Sequence, residues 1–462
     1  MLLKKKLNDI KTILKRDNVL SSIEERYCYA KDALNTNIKT EIPDLVVFVE
    51  TIEDVQKVVK YANQYHIPII ARGAGTNMVG ACVCNKGGIV LNFSKMNKII
   101  EINETNMYTR VQPGVILGDL KKMVNKVGLE YPPDPSNYKV STVGGSIAQS
   151  SGGALAFKYG TTKDYVLSLK VVTAQGELLT LGTSTTKDAA GYHLSQLMVG
   201  SEGTLAIIVE ATLKLIPKPE SKAVVLGYFM SIDDTVNAVN KIVKAQIFPA
   251  AIDFMDSNAI NTTEAYINKS FKTEYQYLLL IDLDGDKNTI NNQMKTVKSI
   301  LLKSNAQDVT CSLTDIEYES IWNARHSSYA AATRLAPDVV SEDLIVPRNK
   351  LSTLIKECQK ISEKYSLKIC MVGHIGDGNI HPQFVLDLNN EEEFRKYCEA
   401  KSYIYKVVNE LGGSISAEHG IGLEKLNYLQ NIMDKNTLNY MISIKKVFDP
   451  KNILNPGKIF NL

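Results

Sequence analysis

Six histidines occur in the 462 residues, and three of them fall in two short segments. The first reads Gly373-His374-Ile375-Gly376-Asp377-Gly378-Asn379-Ile380-His381-Pro382, the second Ser416-Ala417-Glu418-His419-Gly420. Apolar residues flanking an Asp-Gly pair predict a β-hairpin with Asp377 and Gly378 at its turn. Counting outward places Gly376 opposite Asn379, Ile375 opposite Ile380 and His374 opposite His381. Directly opposed residues have Cβ atoms roughly 5 Å apart, so two imidazoles there can share one metal ion. Glu418 is the natural third ligand. Two His and one Glu leave a coordination position open, the arrangement of catalytic rather than structural sites. Zn²⁺ suits such a set best, and Mn²⁺ and Fe²⁺ are compatible. A glycine-rich turn that happens to carry two histidines is the competing reading. The Glu418-His419 pair weighs against it, because it sets a ligand and a base side by side.

The elements that must position these groups belong to a chain long enough for two or three domains. Hydrophobic content is 44% and charged content 22%, ordinary for a globular protein. A net charge of +3 gives no footprint for nucleic acid or a membrane surface. The seven cysteines are scattered, with no iron–sulfur spacing, and suit a reducing compartment. The N-terminus lacks a signal-peptide core and no apolar run approaches membrane length. The expectation is a cytoplasmic protein, peripheral at a membrane only through a partner.

Residues 3–24 read as a short amphipathic helix pair. Leu45-Val46-Val47-Phe48-Val49 reads as a buried strand. Thr51 and Asp54 form a capping-box pattern before apolar residues at helical spacing, and Ile67-Pro68-Ile69-Ile70-Ala71 is the next strand. That opening predicts an α/β unit. It runs into Arg72-Gly73-Ala74-Gly75-Thr76-Asn77, whose spacing fails the G-x-G-x-x-G dinucleotide pattern. Four further loops follow: Pro132-Pro133-Asp134-Pro135; residues 141–153, where Ser141 to Ala148 enter a helix and Ser150-Ser151-Gly152-Gly153 close it; Tyr159-Gly160-Thr161-Thr162; and Gly200-Ser201-Glu202-Gly203-Thr204. Exposed backbone N–H groups and hydroxyls are what a pyrophosphate needs.

A boundary is expected near Pro217-Lys218-Pro219. Beyond it, helices over 231–242 and 288–303 alternate with strands over 251–255 and 277–283, which suits an antiparallel sheet covered by helices. A helix from Tyr318 to about Leu335 carries Trp322, Arg325 and Tyr329 on one face. The expected division is 1–218, 219–425 with the metal site, and a C-terminal segment 426–462 returning to the first domain.

Together these loops resemble the FAD-binding domain of the vanillyl-alcohol oxidase / p-cresol methylhydroxylase superfamily. More narrowly, from about residue 40 to the end the chain resembles the FAD-linked D-2-hydroxyacid dehydrogenases acting on D-lactate, glycolate or D-2-hydroxyglutarate. The carriers are Gly373 to His381, Ala417-Glu418-His419-Gly420 and Asn455-Pro456-Gly457-Lys458. The resemblance implies an α+β fold, with a two-subdomain FAD-binding domain and an α+β substrate domain built on an antiparallel sheet. It implies FAD held by Arg72, Gly73, Ala74, Gly75, Thr76 and Asn77, by Pro132 and Asp134, and by Thr142, Gly144, Gly145, Ala148, Ser151 and Gly152. Gly160, Glu202, Gly203, Ile207 and Asn455 complete that set. No histidine stands in the first glycine loop, so the flavin should be non-covalent. A divalent metal on His374, His381 and Glu418 and a proton-accepting His419 are implied as well.

For a 2-hydroxy acid, flavin takes the hydride from C2, the metal acidifies the hydroxyl and His419 takes its proton. The carboxylate needs a bidentate cation, for which Arg325 and Arg334 are the candidates. Nine residues apart, they share a face only if the helix ends before Arg334, as the approaching Pro337 permits. Asn379 is placed to bind substrate or a ligand. D-lactate or glycolate leads; D-2-hydroxyglutarate is the alternative, disfavoured because Ser341 and Glu342 stand where its relatives carry a lysine. A non-catalytic assembly subunit and an ether-lipid-forming flavoprotein are other readings of the same fold. The electron acceptor is left open among a quinone, an electron-transferring flavoprotein and an iron–sulfur subunit. The oligomeric state is open too, a homodimer included.

Overall fold

The computed structural model describes residues 10–14, 16–36, 38–267, 271–312 and 314–462. Strands β1 (Val19–Leu20), β2 (Leu45–Phe48), β3 (Ile69–Arg72) and β4 (Ile89–Asn92) form a sheet ordered β1-β2-β4-β3. β2 and β3 run parallel to β4, and β1 is antiparallel. The parallel pair needs a crossover, which the helix Ile52–Tyr65 supplies. Its start is fixed reciprocally: the Asp54 amide donates to Thr51 Oγ1 and the Thr51 amide to Asp54 Oδ2, each at 3.1 Å. Val55, Val58, Val59 and Ala62 then bury one stripe against the sheet.

A second, antiparallel sheet contains β5 (Ile99–Asn103), β6 (Tyr108–Val111), β8 (Val166–Val172), β9 (Leu178–Gly182) and β10 (Ile207–Lys214), ordered β5-β6-β10-β8-β9. β7 (Leu129–Glu130) pairs with β11 (Ile216–Pro217) beside it.

The largest sheet is antiparallel throughout: β12 (Ser221–Phe229), β13 (Ala251–Asp256), β14 (Tyr277–Gly285), β15 (Asp308–Cys311), β16 (Asp338–Ser341), β17 (Leu344–Ile345), β18 (Lys368–Gly373) and β19 (Asn379–Leu386). Its order is β15-β12-β14-β13-β18-β19-β16, with β17 also on β19. Leu279, Ile281 and Leu283 of β14 face a core made with the helices Ile232–Lys244, Lys287–Leu302, Leu351–Tyr365 and Glu391–Glu410. Leu278 and Leu280 face the helices Ser257–Ile267, Asp315–His326 and Ser328–Ala332. On this second face the apolar alternation gives way to Asp253, Asp282 and Asp284. The polar end of the face is where the site lies.

Two local expectations need correction. The helix expected over 318–335 is two helices, and it begins earlier, with Thr314 and Glu317 in a capping box. Ser327 ends the first helix, its hydroxyl donating to the Asn323 carbonyl at 2.8 Å, a local bond that competes with the helical ladder. The helix pair expected over 3–24 falls partly outside the described residues; within them, residues 10–13 are helical and Ile23–Tyr27 is a capped five-residue helix that runs past 24.

The C-terminal residues pack against the first two sheets. Ile453 and Leu454 enter the core of the first, where Leu454 bridges Ile69, and Ile444 and Phe448 pack on that of the second. Among the described residues no helix is long and apolar enough to cross a membrane.

Candidate active site

A cleft of about 1190 Å³, open solvent at its mouth included, runs between the glycine loops and ends at Glu418 and His419. Residues 72–77 line it, with Thr142, Gly144, Gly145, Ala148, Ser151 and Gly152 opposite and Glu202 and Gly203 at the side. Gly73, Gly75, Gly144 and Gly152 leave no room for a side chain. A Cβ on Gly73 would fall 2.1 Å from Thr142 Oγ1, so the two loops touch. A Cβ on Gly152 would fall 2.6 Å from Glu418 Oε2, so the same loops abut the second segment of the site. Arg72 is buried and organises its own loop, donating to the carbonyls of Lys31 at 2.8 Å and Cys82 at 3.2 Å.

Pro132, Asp134, Gly160, Ile207 and Asn455 do not line the cleft. They support it. Lys121 Nζ donates to the Tyr131 and Pro132 carbonyls, and Asp134 Oδ1 accepts from the Leu155 amide at 3.1 Å. Gly160, at φ +79°, packs on Asp164, and Ile207 is in the core of the first sheet. Asn455 reaches back as expected, but behind the loops: its Nδ2 donates to the carbonyls of Ala81 and Glu202, each at 2.7 Å. Glu202 in turn accepts from the amides of Ile421 at 2.6 Å and Gly422 at 2.8 Å, which holds the segment after His419 against the cleft.

The hairpin register differs from the expected one. Val372, not His374, pairs with His381, and a five-residue loop closed by the Asn379 amide on the His374 carbonyl connects the strands. Gly378 is required for another reason than a two-residue turn. At φ +92°, its Cβ would lie 2.1 Å from the Val346 carbonyl oxygen. The imidazoles nevertheless meet, with ring centroids 5.3 Å apart.

Each ring is anchored through Nδ1, and both Nε2 atoms converge on one carboxylate oxygen. His374 Nδ1 lies 2.7 Å from Asp253 Oδ1, and His381 Nδ1 lies 3.2 Å from the Glu342 carbonyl. His374 Nε2 is 3.6 Å and His381 Nε2 3.2 Å from Glu418 Oε1. Ligand atoms of a tetrahedral ion bound at 2.0–2.2 Å are about 3.4 Å apart, and outer partners on Nδ1 are what metal-ligating histidines carry. The donor set therefore fits a divalent cation. Burial alone would lower His374, but Asp253 and Glu418 raise it well above the ordinary imidazole range. Burial alone would raise Glu418, but His374 and His381 hold it far below the usual carboxylate range. The positive charge that these carboxylates favour on His374 is the charge a cation would replace.

His419 stacks on His381, centroids 5.2 Å apart and rings inclined by 13°. Burial lowers its basicity, the Asp343 carboxylate offsetting part of that, and its buried Nδ1 has no hydrogen-bond partner. It is a neutral imidazole at the end of the cleft.

Asp343, missed in the sequence, builds this segment. Fully buried, its Oδ2 accepts from the amides of Ala417, Glu418 and His419, each at 2.8 Å, and from Ser416 Oγ at 3.0 Å. The cluster whose ligand atoms all lie within 4.8 Å of one another is Asp343, His381, Glu418 and His419, without His374; the Asp343 oxygens are already occupied by the amides of 417–419 and by Asn379, and His374 reaches the group through Glu418. Asn379 is committed to Asp343 Oδ1 at 3.0 Å and the Leu344 carbonyl at 2.9 Å, which corrects its expected place against substrate. Arg325 is buried with Nε 2.7 Å from Asp253 Oδ2 and, like Arg334, is not among the residues lining the cleft. Arg334 is corrected: it is exposed, with its guanidinium carbon 5.5 Å above the Tyr266 ring, outside the cleft.

The family model described as "FAD linked oxidases, C-terminal domain" matches residues 218–459, and that of the "FAD binding domain" matches residues 43–182. The chain belongs to the FAD-linked oxidases. Glycolate oxidase subunit GlcD of Bacillus subtilis (strain 168) is 40% identical over 444 residues, 96% of this chain and 94% of that protein. D-lactate dehydrogenase of Anaerostipes hadrus is 35% identical over 425 residues, 90% of this chain and 89% of its own. Among solved structures, p-cresol methylhydroxylase with substrate bound matches at a TM-score of 0.83 over 99% of this chain and 96% of that one, at 17% identity, a likeness of fold. This FAD-linked oxidase is thus an enzyme of the p-cresol methylhydroxylase type of fold. Its cleft, walled by glycine backbone and hydroxyls, fits the cofactor that its FAD-binding domain implies.

Proposed function

We propose that this FAD-linked oxidase converts a small D-2-hydroxy acid, D-lactate or glycolate, to the 2-oxo acid. The observation that carries the reading is the convergence of His374, His381 and Glu418 beside His419 at the end of the glycine-walled cleft. When bound, FAD supplies the hydride acceptor that no side chain can provide, and a divalent cation on His374, His381 and Glu418 supplies Lewis acidity at the substrate hydroxyl. Zinc suits the donor set best, with manganese and iron compatible. FAD is non-covalent in this reading, since residues 72–77 contain no histidine.

The chain's own residues do the rest. His419, neutral through burial, accepts the hydroxyl proton. Arg325 receives the carboxylate, its guanidinium fixed by Asp253. Asp343 presents Glu418 and His419 together from one stretch of backbone. Arg334 lies outside the cleft and Lys401, the buried lysine nearest Glu342, is bound to Glu424, which favours a monocarboxylate over D-2-hydroxyglutarate. The electron acceptor for the bound cofactor would be a quinone, an electron-transferring flavoprotein or an iron–sulfur subunit. The GlcD relative is itself named a subunit.

Turnover of a 2-hydroxyacid panel with an artificial dye acceptor, with and without chelator, tests this. The expected result is chelator-sensitive oxidation of D-lactate or glycolate well above D-2-hydroxyglutarate. Chelator-insensitive turnover, or none on either acid, overturns it.

A further inference from the structure

Asp253 sits on β13 on the face opposite to Ile252 and Phe254, which enter the main apolar core, and is 1% exposed. A charge in such a place is costly unless paired, and a buried ion pair is seldom more stable than apolar residues of the same volume. Stability alone therefore does not explain it. Both of its oxygens are used, and in different directions. Oδ1 lies 2.7 Å from His374 Nδ1, and Oδ2 forms an ion pair with Arg325 Nε at 2.7 Å, without the alignment of a hydrogen bond. Arg325 Nη1 is steadied in addition by Ser328 Oγ at 3.3 Å.

We infer that Asp253 is a positioning residue that joins the two halves of the site. Its Oδ1 fixes His374 in the tautomer with hydrogen on Nδ1, which leaves the Nε2 lone pair directed toward the metal position beside Glu418. Its Oδ2 holds the Arg325 guanidinium where the substrate carboxylate arrives. One carboxylate thereby sets the spacing between the hydroxyl-binding and carboxylate-binding groups, the distance that defines a 2-hydroxy acid. The inference rests on the function proposed above.

The test uses the FAD-loaded full chain and three variants: Asp253→Asn, Arg325→Gln and the double variant. The double variant leaves no unpaired buried charge, so it stays informative if Asp253→Asn alone does not fold. Zinc affinity is measured by competition with a chromophoric chelator in the absence of substrate, and KM for D-lactate with a dye acceptor at saturating zinc. Arg325→Gln should raise KM while leaving zinc affinity within about threefold. The double variant should lose about 10–100-fold in zinc affinity, the usual cost of removing such an outer partner, with no further rise in KM. If the double variant binds zinc as Arg325→Gln does, or raises KM well beyond it, Asp253 does not join the two sites and the inference fails. A wild-type protein that binds no zinc or oxidises no hydroxy acid refutes the function proposed above instead.

Discussion

Replacing Asp343 by Asn should disable the site without touching any group proposed to meet substrate or metal. The carboxylate has a geometry that an amide cannot reproduce. Oδ2 faces three backbone amides at 2.8 Å, and Oδ1 faces the amide nitrogen of Asn379 at 3.0 Å. If the new amide turns its oxygen to the three N–H groups, its NH₂ meets the NH₂ of Asn379. If it turns the other way, one donor meets three. Taking the first, each of three charge-assisted bonds falls to a neutral one at a loss of about 1 kcal/mol, and the donor–donor contact adds about 1–3 kcal/mol. The sum is about 4–6 kcal/mol, concentrated in residues 416–419. Urea unfolding should show that loss, and kcat/KM should fall about 100-fold or more because Glu418 and His419 move by the order of an ångström. Cofactor retention should hold, because the glycine loops are anchored by Arg72 and Asn455 instead. Asp343→Asn within about 1 kcal/mol of wild type, with normal turnover, would refute the reasoning.

Three other outcomes are expected. Gly152→Ala places a methyl group 2.6 Å from Glu418 Oε2; FAD should stay bound while zinc affinity falls at least about tenfold, and unchanged zinc binding would count against the shared wall. Arg325→Lys keeps charge but loses the guanidinium fork, so KM for the acid should rise tenfold or more, about 1.4 kcal/mol, whereas Arg334→Ala should leave KM unchanged; the reverse pattern would reassign the carboxylate. Burial pushes the Asp256 carboxyl up to about 7, offset in part by the amides of Ala259 and Met371. Its folded value lies above the unfolded one, so its contribution to stability is complete below pH about 4 and is lost as pH rises toward 7, by up to about 4 kcal/mol. Asp256→Asn keeps the acceptor, and wild-type stability should therefore decline relative to the variant across that window; parallel curves would show that Asp256 is ionised in the fold.

The sequence carried the metal-type residues and the glycine loops because both signals are local. His374, His381 and Glu418 announce themselves by type and spacing, and β2, the helix Ile52–Tyr65 and β3 by periodicity and a capping box. The hairpin register was misread because Gly378 answers a tertiary demand, the approach of the Val346 carbonyl, which a local turn rule does not contain. The helix ends at Ala332, before Arg334, as its candidacy required, yet Arg334 lies over the Tyr266 ring, a tertiary placement that helical spacing does not contain. Asn379 looked like a ligand group because its partner, Asp343, is 36 residues away. Asp253 was the one legible signal left unused: a lone acid in Ala251-Ile252-Asp253-Phe254-Met255 is a buried charge in need of a partner, although nothing in the sequence says that the partners are Arg325 and His374.

The most direct measurement of the central claim is anaerobic mixing of the purified holoenzyme with D-lactate or glycolate while the flavin absorbance is followed. Metal-replete enzyme should bleach, chelated enzyme should not, and restoring the metal should restore bleaching. A flavin that stays oxidised with both acids, or one reduced at the same rate after the metal has been removed, would contradict it.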